Sequence, residues 1–371
     1  MRHLLLPAAL LAALCSTAQA NCRLDEAAAP VASAGGVVAA SEASSSATNW
    51  MRIAMGTAVA AELTPPAASR LYTATAIALH DGYTAAAGGA PYAIRASANI
   101  GPGSAAIVAQ SAASSFLARA FPRIESWYRS ELDKLVGPPD RLAAARALGD
   151  EIGRQVFERC FYTVEKFPSA NGAPEAKPGE WRPTLSYYHS GLEPEWPSHS
   201  PFEMTTAHQF RPPGPPAMTS GTYARALLEV ETLGRQIGGA RTDEQTLIAR
   251  FWEDGMQTST PSGHWNAIAL QEIAGLPLAK QLDILLVLNI AMADAGMAAW
   301  DAKYHYRFWR PVTAIQEASV DGNPQTSSDS RWWPYIQSPM FPEYVSGHSA
   351  FSSAAATVLS HFLRSHPITI G

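Results

Sequence analysis

The chain has 371 residues, 47% hydrophobic and 16% charged, with a formal net charge of -5. That composition excludes intrinsic disorder and gives enough apolar surface for a sizeable buried core. A net-negative chain offers no basic field for a polyphosphate backbone, so nucleic acid is excluded as the expected partner. Any anion must be gripped by a few placed cations and backbone N–H groups.

The first twenty residues combine a charged start at Arg2, an apolar run from Leu4 to Leu14 and a small-x-small site at Ala18-Gln19-Ala20. This is the pattern of a secretory signal peptide and predicts a periplasmic or secreted protein. The run is too short for a membrane anchor, which needs about twenty apolar residues. Removal after Ala20 leaves Cys22 and Cys160; their pairing in an oxidising compartment stays open at this level. Residues 21–48 are rich in Ala, Ser and Gly and read as a flexible leader.

Residues 49–371 are expected to form one mainly α, helical-bundle domain. Apolar residues recur at helical spacing over 50–63, 67–87, 104–121, 124–135, 141–167, 222–237, 243–252 and 265–273, with no sustained alternation to compete. Start signals agree, as in Thr64-Pro65-Pro66 and Pro138-Pro139-Asp140. Between 168 and 216, prolines cluster with Gly, Trp and Tyr, which predicts an ordered excursion that either splits two bundles or roofs a cleft. The segment 278–306 is the longest predicted helix. Asp283, Asn289, Asp294 and Asp301 interrupt its apolar run, which argues against a membrane span and for the central helix of a bundle. Asp294 and Asp301 fall on nearly one helical face. They are open to two readings, polar helix contacts or orientation of nearby cations.

The chemistry concentrates after that helix. Lys303 is followed seven residues later by Arg310-Pro311. Proline disfavours the α region for Arg310, so the chain is expected to leave the helix and let the guanidinium turn back toward Lys303. A point charge and a planar fork then suit one tetrahedral or trigonal-bipyramidal oxyanion. Ser346-Gly347-His348 opens a second apolar run. Ser346 is a natural N-cap, first-turn N–H groups bind anions, and His348 can give or take a proton near neutral pH. Each pattern alone also fits a plain helix end.

In order and spacing the two motifs resemble the vanadium-dependent haloperoxidase and type 2 phosphatidic acid phosphatase superfamily, whose signature is K-x6-R-P, then P-S-G-H, then S-R-x5-H. Here Lys303, Arg310 and Pro311 complete the first element, and Ser346, Gly347 and His348 the second, with Val345 in place of the proline. The flanks ASRLYTATAIALHDGYTAA, RFWEDGMQTSTPSGHWNAIA and MADAGMAAWDAKYHYRFWRPVTAI also look like the soluble bacterial haloperoxidase-like branch. The resemblance implies vanadate held by Lys303, Arg310, Ser346 and Gly347, His348 as acid-base group, and peroxide and halide as substrates. In the phosphatase branch phosphate takes the place of vanadate, and a phosphate ester is the substrate.

No Ser-Arg-x5-His follows position 348. The resemblance assigns to that element a further arginine and the histidine that ligates vanadium or attacks phosphorus, so the fold is expected to be incomplete at the C-terminus and activity impaired. Three readings follow: a haloperoxidase, a soluble acid phosphatase, and a non-catalytic remnant that binds an oxyanion weakly. Other side chains are secondary. His264 either lines the cleft or is a loop histidine capping a helix; His305 and the His80-Asp81 pair read as structural, and Trp332, Trp333 and Phe341 either shape a halide or organic substrate pocket or, as aromatics beside a proline turn, read as packing.

Overall fold

The computed structural model describes residues 41–96, 98, 100–135, 138–161, 176–184, 191–255 and 257–363. Among them lie eleven α-helices and four short 3-10 turns, and the only β pairing is two isolated bridges, Glu180 with Phe308 and Arg235 with Pro334. The mainly α expectation holds. The segment read as a signal peptide and Cys22 lie outside the described residues.

Helix α1, Ser41–Ala60, begins inside the segment expected to be leader. Ala47 and Thr48 are already buried. Small side chains here do the docking that the sequence reading looked for in large ones, and the Trp50 anchor lets the helix propagate backwards.

Helix α2, Pro65–Ala87, starts where Thr64 caps the Ala67 N–H and two prolines fill the first turn. Leu71, Tyr72, Ile77 and Leu79 are fully buried along it. Helices α3, Ala105–Ala120, and α5, Pro139–Cys160, approach unusually closely. A Cβ on Gly149 would lie 2.8 Å from the Val108 carbonyl oxygen, and one on Gly153 would lie 2.4 Å from that of Ala112. Only glycine permits that approach. Helix α4, Glu125–Leu132, is shorter than expected, and α5 stops at Cys160 with Phe161 extended, before the predicted end at 167.

Helix α6, Gly221–Leu233, is capped by Ser220, and α7, Asp243–Phe251, begins with a capping box of Thr242 and Gln245. Helix α8, Thr260–Glu272, starts earlier than the sequence reading placed it, so His264 sits within the helix and not in a loop. Pro261 explains the difference, because its missing N–H costs nothing at a helix start.

Helix α9, Leu278–Tyr306, matches its expected span. It packs against α2 on one side and α11, Gly347–Phe362, on another. Among the described residues it is the one helix long and apolar enough to cross a membrane, and 72% of its most apolar window is buried inside the fold. Its polar interruptions are tied down. Asn289 exchanges amide hydrogen bonds with Asn266 at 2.7 and 2.9 Å, and Asp294 accepts from the N–H groups of Phe202, Glu203 and Met204 at 2.7, 2.7 and 2.9 Å. The described part of the proline-rich excursion is therefore fastened to the central helix. Within it, Leu192 receives hydrogen bonds from Trp300 and Tyr304 of α9. A smaller core of Tyr223, Leu227, Trp309, Val312, Ile315 and Trp332 joins α6 to the short helix α10, Pro311–Gln316.

Candidate oxyanion site

Lys303 lies in the last turn of α9, which ends at Arg307 in the left-handed conformation. Arg310 is extended, at φ -79° and ψ 152°, and opens α10. The sequence reading of an X-Pro exit from the helix holds, and it brings the two cations together. Both reach the same stretch of chain. The Lys303 ammonium donates to the carbonyls of Pro342 and Glu343 at 2.9 and 3.1 Å, while Arg310 donates Nε to the Phe341 carbonyl at 2.6 Å and Nη1 to the Glu343 carboxylate at 2.5 Å. The Phe341 ring centre is 4.8 Å from both Lys303 Nζ and Arg310 Cζ.

Lys303 is 1% exposed and Arg310 7%. Burial pushes the Lys303 ammonium well below the usual lysine range; Arg310 adds to this and Glu343 opposes it. The Glu343 carboxylate pairs with Arg310 alone and acts on Lys303 only through its charge, and Arg310 Nη2 is buried without a hydrogen-bond partner. An excess of buried positive charge with an unused donor is a site suited to an anion.

Helix α11 supplies the other wall. Ser346 caps it, its hydroxyl accepting the Ser349 N–H at 3.2 Å. A Cβ on Gly347 would lie 3.5 Å from the Trp300 ring and 4.0 Å from Lys303 Cε, so the N-terminus of α11 stands directly beside the lysine. The first-turn N–H groups have no helical carbonyl to meet them. His348 is exposed, and its Nε2 lies 3.1 Å from the Glu253 carbonyl oxygen. A carbonyl can only accept, so in the neutral ring the proton sits on Nε2 and the lone pair on Nδ1.

The VCPO second helical-bundle domain family matches residues 283–370, the span that carries all these groups except the Glu253 carbonyl. The structure superposes on a bacterial vanadium-dependent iodoperoxidase with a TM-score of 0.69 at 26% identity, covering 86% of this chain and 81% of that one. Residues 283–370 thus carry a vanadium haloperoxidase domain. An apo-form bacterial vanadium-dependent chloroperoxidase shares the fold, with a TM-score of 0.61 at 17% identity over 81% of this chain and 78% of its own. The vanadium chloroperoxidase of Curvularia inaequalis is 28% identical over 90 residues, which is 21% of this chain and only 14% of that protein.

Of the site residues expected from sequence, the structure brings Lys303 and Arg310 together on residues 341–343 and sets Gly347, between the Ser346 cap and His348, beside Lys303. The two aspartates have other partners. Asp301 binds the Arg211 guanidinium through both oxygens at 2.6 and 2.8 Å, and Asp294 holds the 202–204 turn. Both aspartates thus tie α9 to the 202–211 segment. His264 lies beside the site through Asp254, whose two oxygens are each 3.1 Å from its Nδ1. His305 is exposed. His80 pairs with Asp81 at 2.7 Å while Asp81 accepts the N–H groups of Tyr92, Ala93 and Ile94, a structural clasp as expected. Trp332 packs in the smaller core.

Sequence reasoning missed Glu343, Glu253 and Asp254. Glu343 stands three residues before Ser346, and position alone was its signal. For Glu253 the carbonyl matters and not the side chain, which no residue-type pattern could announce. Phe341, read as packing, does pack, but against both cations.

Proposed function

We propose that this chain carries the vanadate site of an exported haloperoxidase. The observation that supports it most is the buried Lys303 and Arg310 pair, fixed on the 341–343 carbonyls with Arg310 Nη2 unpartnered, beside the N-terminus of α11. These residues fit an oxyanion in charge, in donor type and in having a donor left over. Lys303, Arg310, the Ser346 hydroxyl and the Gly347 N–H would hold vanadate. When bound, it supplies the Lewis acid that activates peroxide, so that halide, peroxide and a proton give hypohalous acid and water.

The chain's own residues do the remaining work. The two cations hold and orient the anion's oxygens, and an anion beside Lys303 restores the ammonium that burial disfavours. His348, protonated on Nε2 against Glu253, offers Nδ1 as the atom that takes up and returns a proton. The Ser-Arg-x5-His element is not within these residues. The residues present are proposed to bind an oxyanion. Cys160 is disulfide-bonded, with its partner outside the described residues. That bond supports the proposed periplasmic or secreted location.

Calorimetric titration with orthovanadate tests the proposal. Binding is expected, and K303A and R310A should each weaken it at least about tenfold, as loss of a charge-assisted contact does. Unchanged binding in both variants would overturn the assignment. Protein extended through its natural reading frame then separates two chemistries: vanadate-dependent halide oxidation supports the peroxidase, whereas hydrolysis of a chromogenic phosphate ester inhibited by vanadate supports a soluble acid phosphatase.

A further inference from the structure

The segment after α7 brings the Glu253 carbonyl to His348, and what holds that segment in place is specific. Asp254 has φ 38°, a conformation that residues other than glycine seldom adopt unless the surroundings enforce it. The enforcement comes from α8. His264 Nδ1 lies 3.1 Å from each Asp254 oxygen, the His264 ring stacks on Trp252 at 4.8 Å and 26°, and the edge of Phe251 meets it at 4.7 Å. Trp252 in turn stacks on Trp265 at 5.6 Å. Trp265 donates its indole N–H to Ser352 at 3.0 Å, and Ser352 is one helical turn beyond His348 on α11. The contacts form a closed circuit, from α11 through Trp265, Trp252, His264, Asp254 and Glu253 back to His348.

Asp254 is also close enough to His348 for the two charges to act on each other. Burial raises it above the usual aspartate range, and His264 and His348 both oppose that shift. The Asp254 side chain is 11% exposed and that of His264 16%, so neither is a solvated surface charge.

We propose that His264 is a positioning residue for His348: by donating Nδ1–H to Asp254 it holds the Glu253 carbonyl against His348 Nε2, which fixes the tautomer with its lone pair on Nδ1. The value of that tautomer to catalysis rests on the haloperoxidase reading, whereas the positioning itself does not. His264 touches neither the cation pair nor the α11 N-terminus by hydrogen bond, and acts only through the segment 252–254.

The test reads the His348 ring directly. Long-range proton–nitrogen spectra of 15N-histidine protein at pH 8, without vanadate, peroxide or halide, give the tautomer ratio, with His348 assigned from H348N. The parent should strongly favour Nε2–H. H264F keeps an aromatic ring on Trp252 but deletes the donor, and D254N keeps the shape but weakens the acceptor. Both should lower the Nε2–H preference about threefold to tenfold, the scale of one net hydrogen bond, and H264Q, which can still donate to Asp254, should recover most of it. His348 nitrogen shifts in H264F and D254N identical to the parent would overturn the proposal. A thermal melt of each variant identifies any loss that reflects unfolding, and the D254N result decides if H264F does not fold. Because no oxyanion is present, failure of the vanadate assignment leaves this measurement intact.

Discussion

Arg310 donates Nη1 to the Glu343 carboxylate at 2.5 Å and keeps Nη2 buried with no partner. Glu343 is therefore an internal competitor for the charge that an oxyanion would use. Its side chain is 39% exposed, so the competition is screened and modest. Glu343→Gln should tighten orthovanadate binding about threefold to tenfold, with the gain shrinking as ionic strength rises. Titrations at low and high salt check this; weaker binding in the variant would show that Glu343 is needed to hold Arg310 in place.

Glu193 should make stability depend on pH. It is 8% exposed, one carboxylate oxygen takes the Thr64 hydroxyl, and the other is buried without a partner. Burial raises its pKa to about 7, with Glu195 adding and the Thr64 bond opposing. The folded state thus holds this proton more tightly than the unfolded chain. Its penalty is absent below the unfolded glutamate pKa of about 4.3, grows up to pH about 7, and then levels off at roughly 3 kcal/mol or less. Glu193→Gln should remove that slope, so urea denaturation at pH 5 and pH 8 should differ less in the variant than in the parent. An equal difference in both proteins would mean that Glu193 ionises as freely as in solution.

Gly153→Ala should destabilise the bundle. The added Cβ would lie 2.4 Å from the Ala112 carbonyl oxygen and 2.6 Å from Ser115 Cβ. The first contact is backbone and cannot swing aside, so α3 and α5 must separate, at a cost of about 1–3 kcal/mol. Thermal unfolding measures it, and a variant as stable as the parent would contradict this close approach.

Asp294→Ala should detach the 202–204 turn from α9. Three backbone N–H groups lose their acceptor, with Phe202 and Met204 buried at the turn. The expected cost is about 3 kcal/mol or more. Hydrogen exchange should show faster loss of protection at residues 202–204, and protection unchanged there would refute the clasp.

The helices were legible because apolar spacing and caps are local. Leu278–Tyr306 was read with its full span, since a long apolar run ends at a turn before Arg310-Pro311. The start of α1 was not, because burial of Ala47 and Thr48 depends on neighbours distant in sequence. Lys303, Arg310 and the α11 N-terminus were legible as a site through the spacing of their motifs. Asp301 was left with two readings for want of its partner. Its proximity to Lys303 in sequence is real, but Arg211, ninety positions away, takes its charge. The role of residues 341–343 was hidden altogether, because sequence reports side chains and that segment acts largely through carbonyl oxygens.

That last property has an evolutionary consequence. Phe341, Pro342 and Glu343 fasten the two cations through three main-chain oxygens. An interaction made by the backbone survives a change of side chain, provided the path of the chain is kept. Descendants of this protein can therefore diverge at these positions while Lys303 and Arg310 stay where they are, so the segment that anchors the pocket can become its least recognisable part.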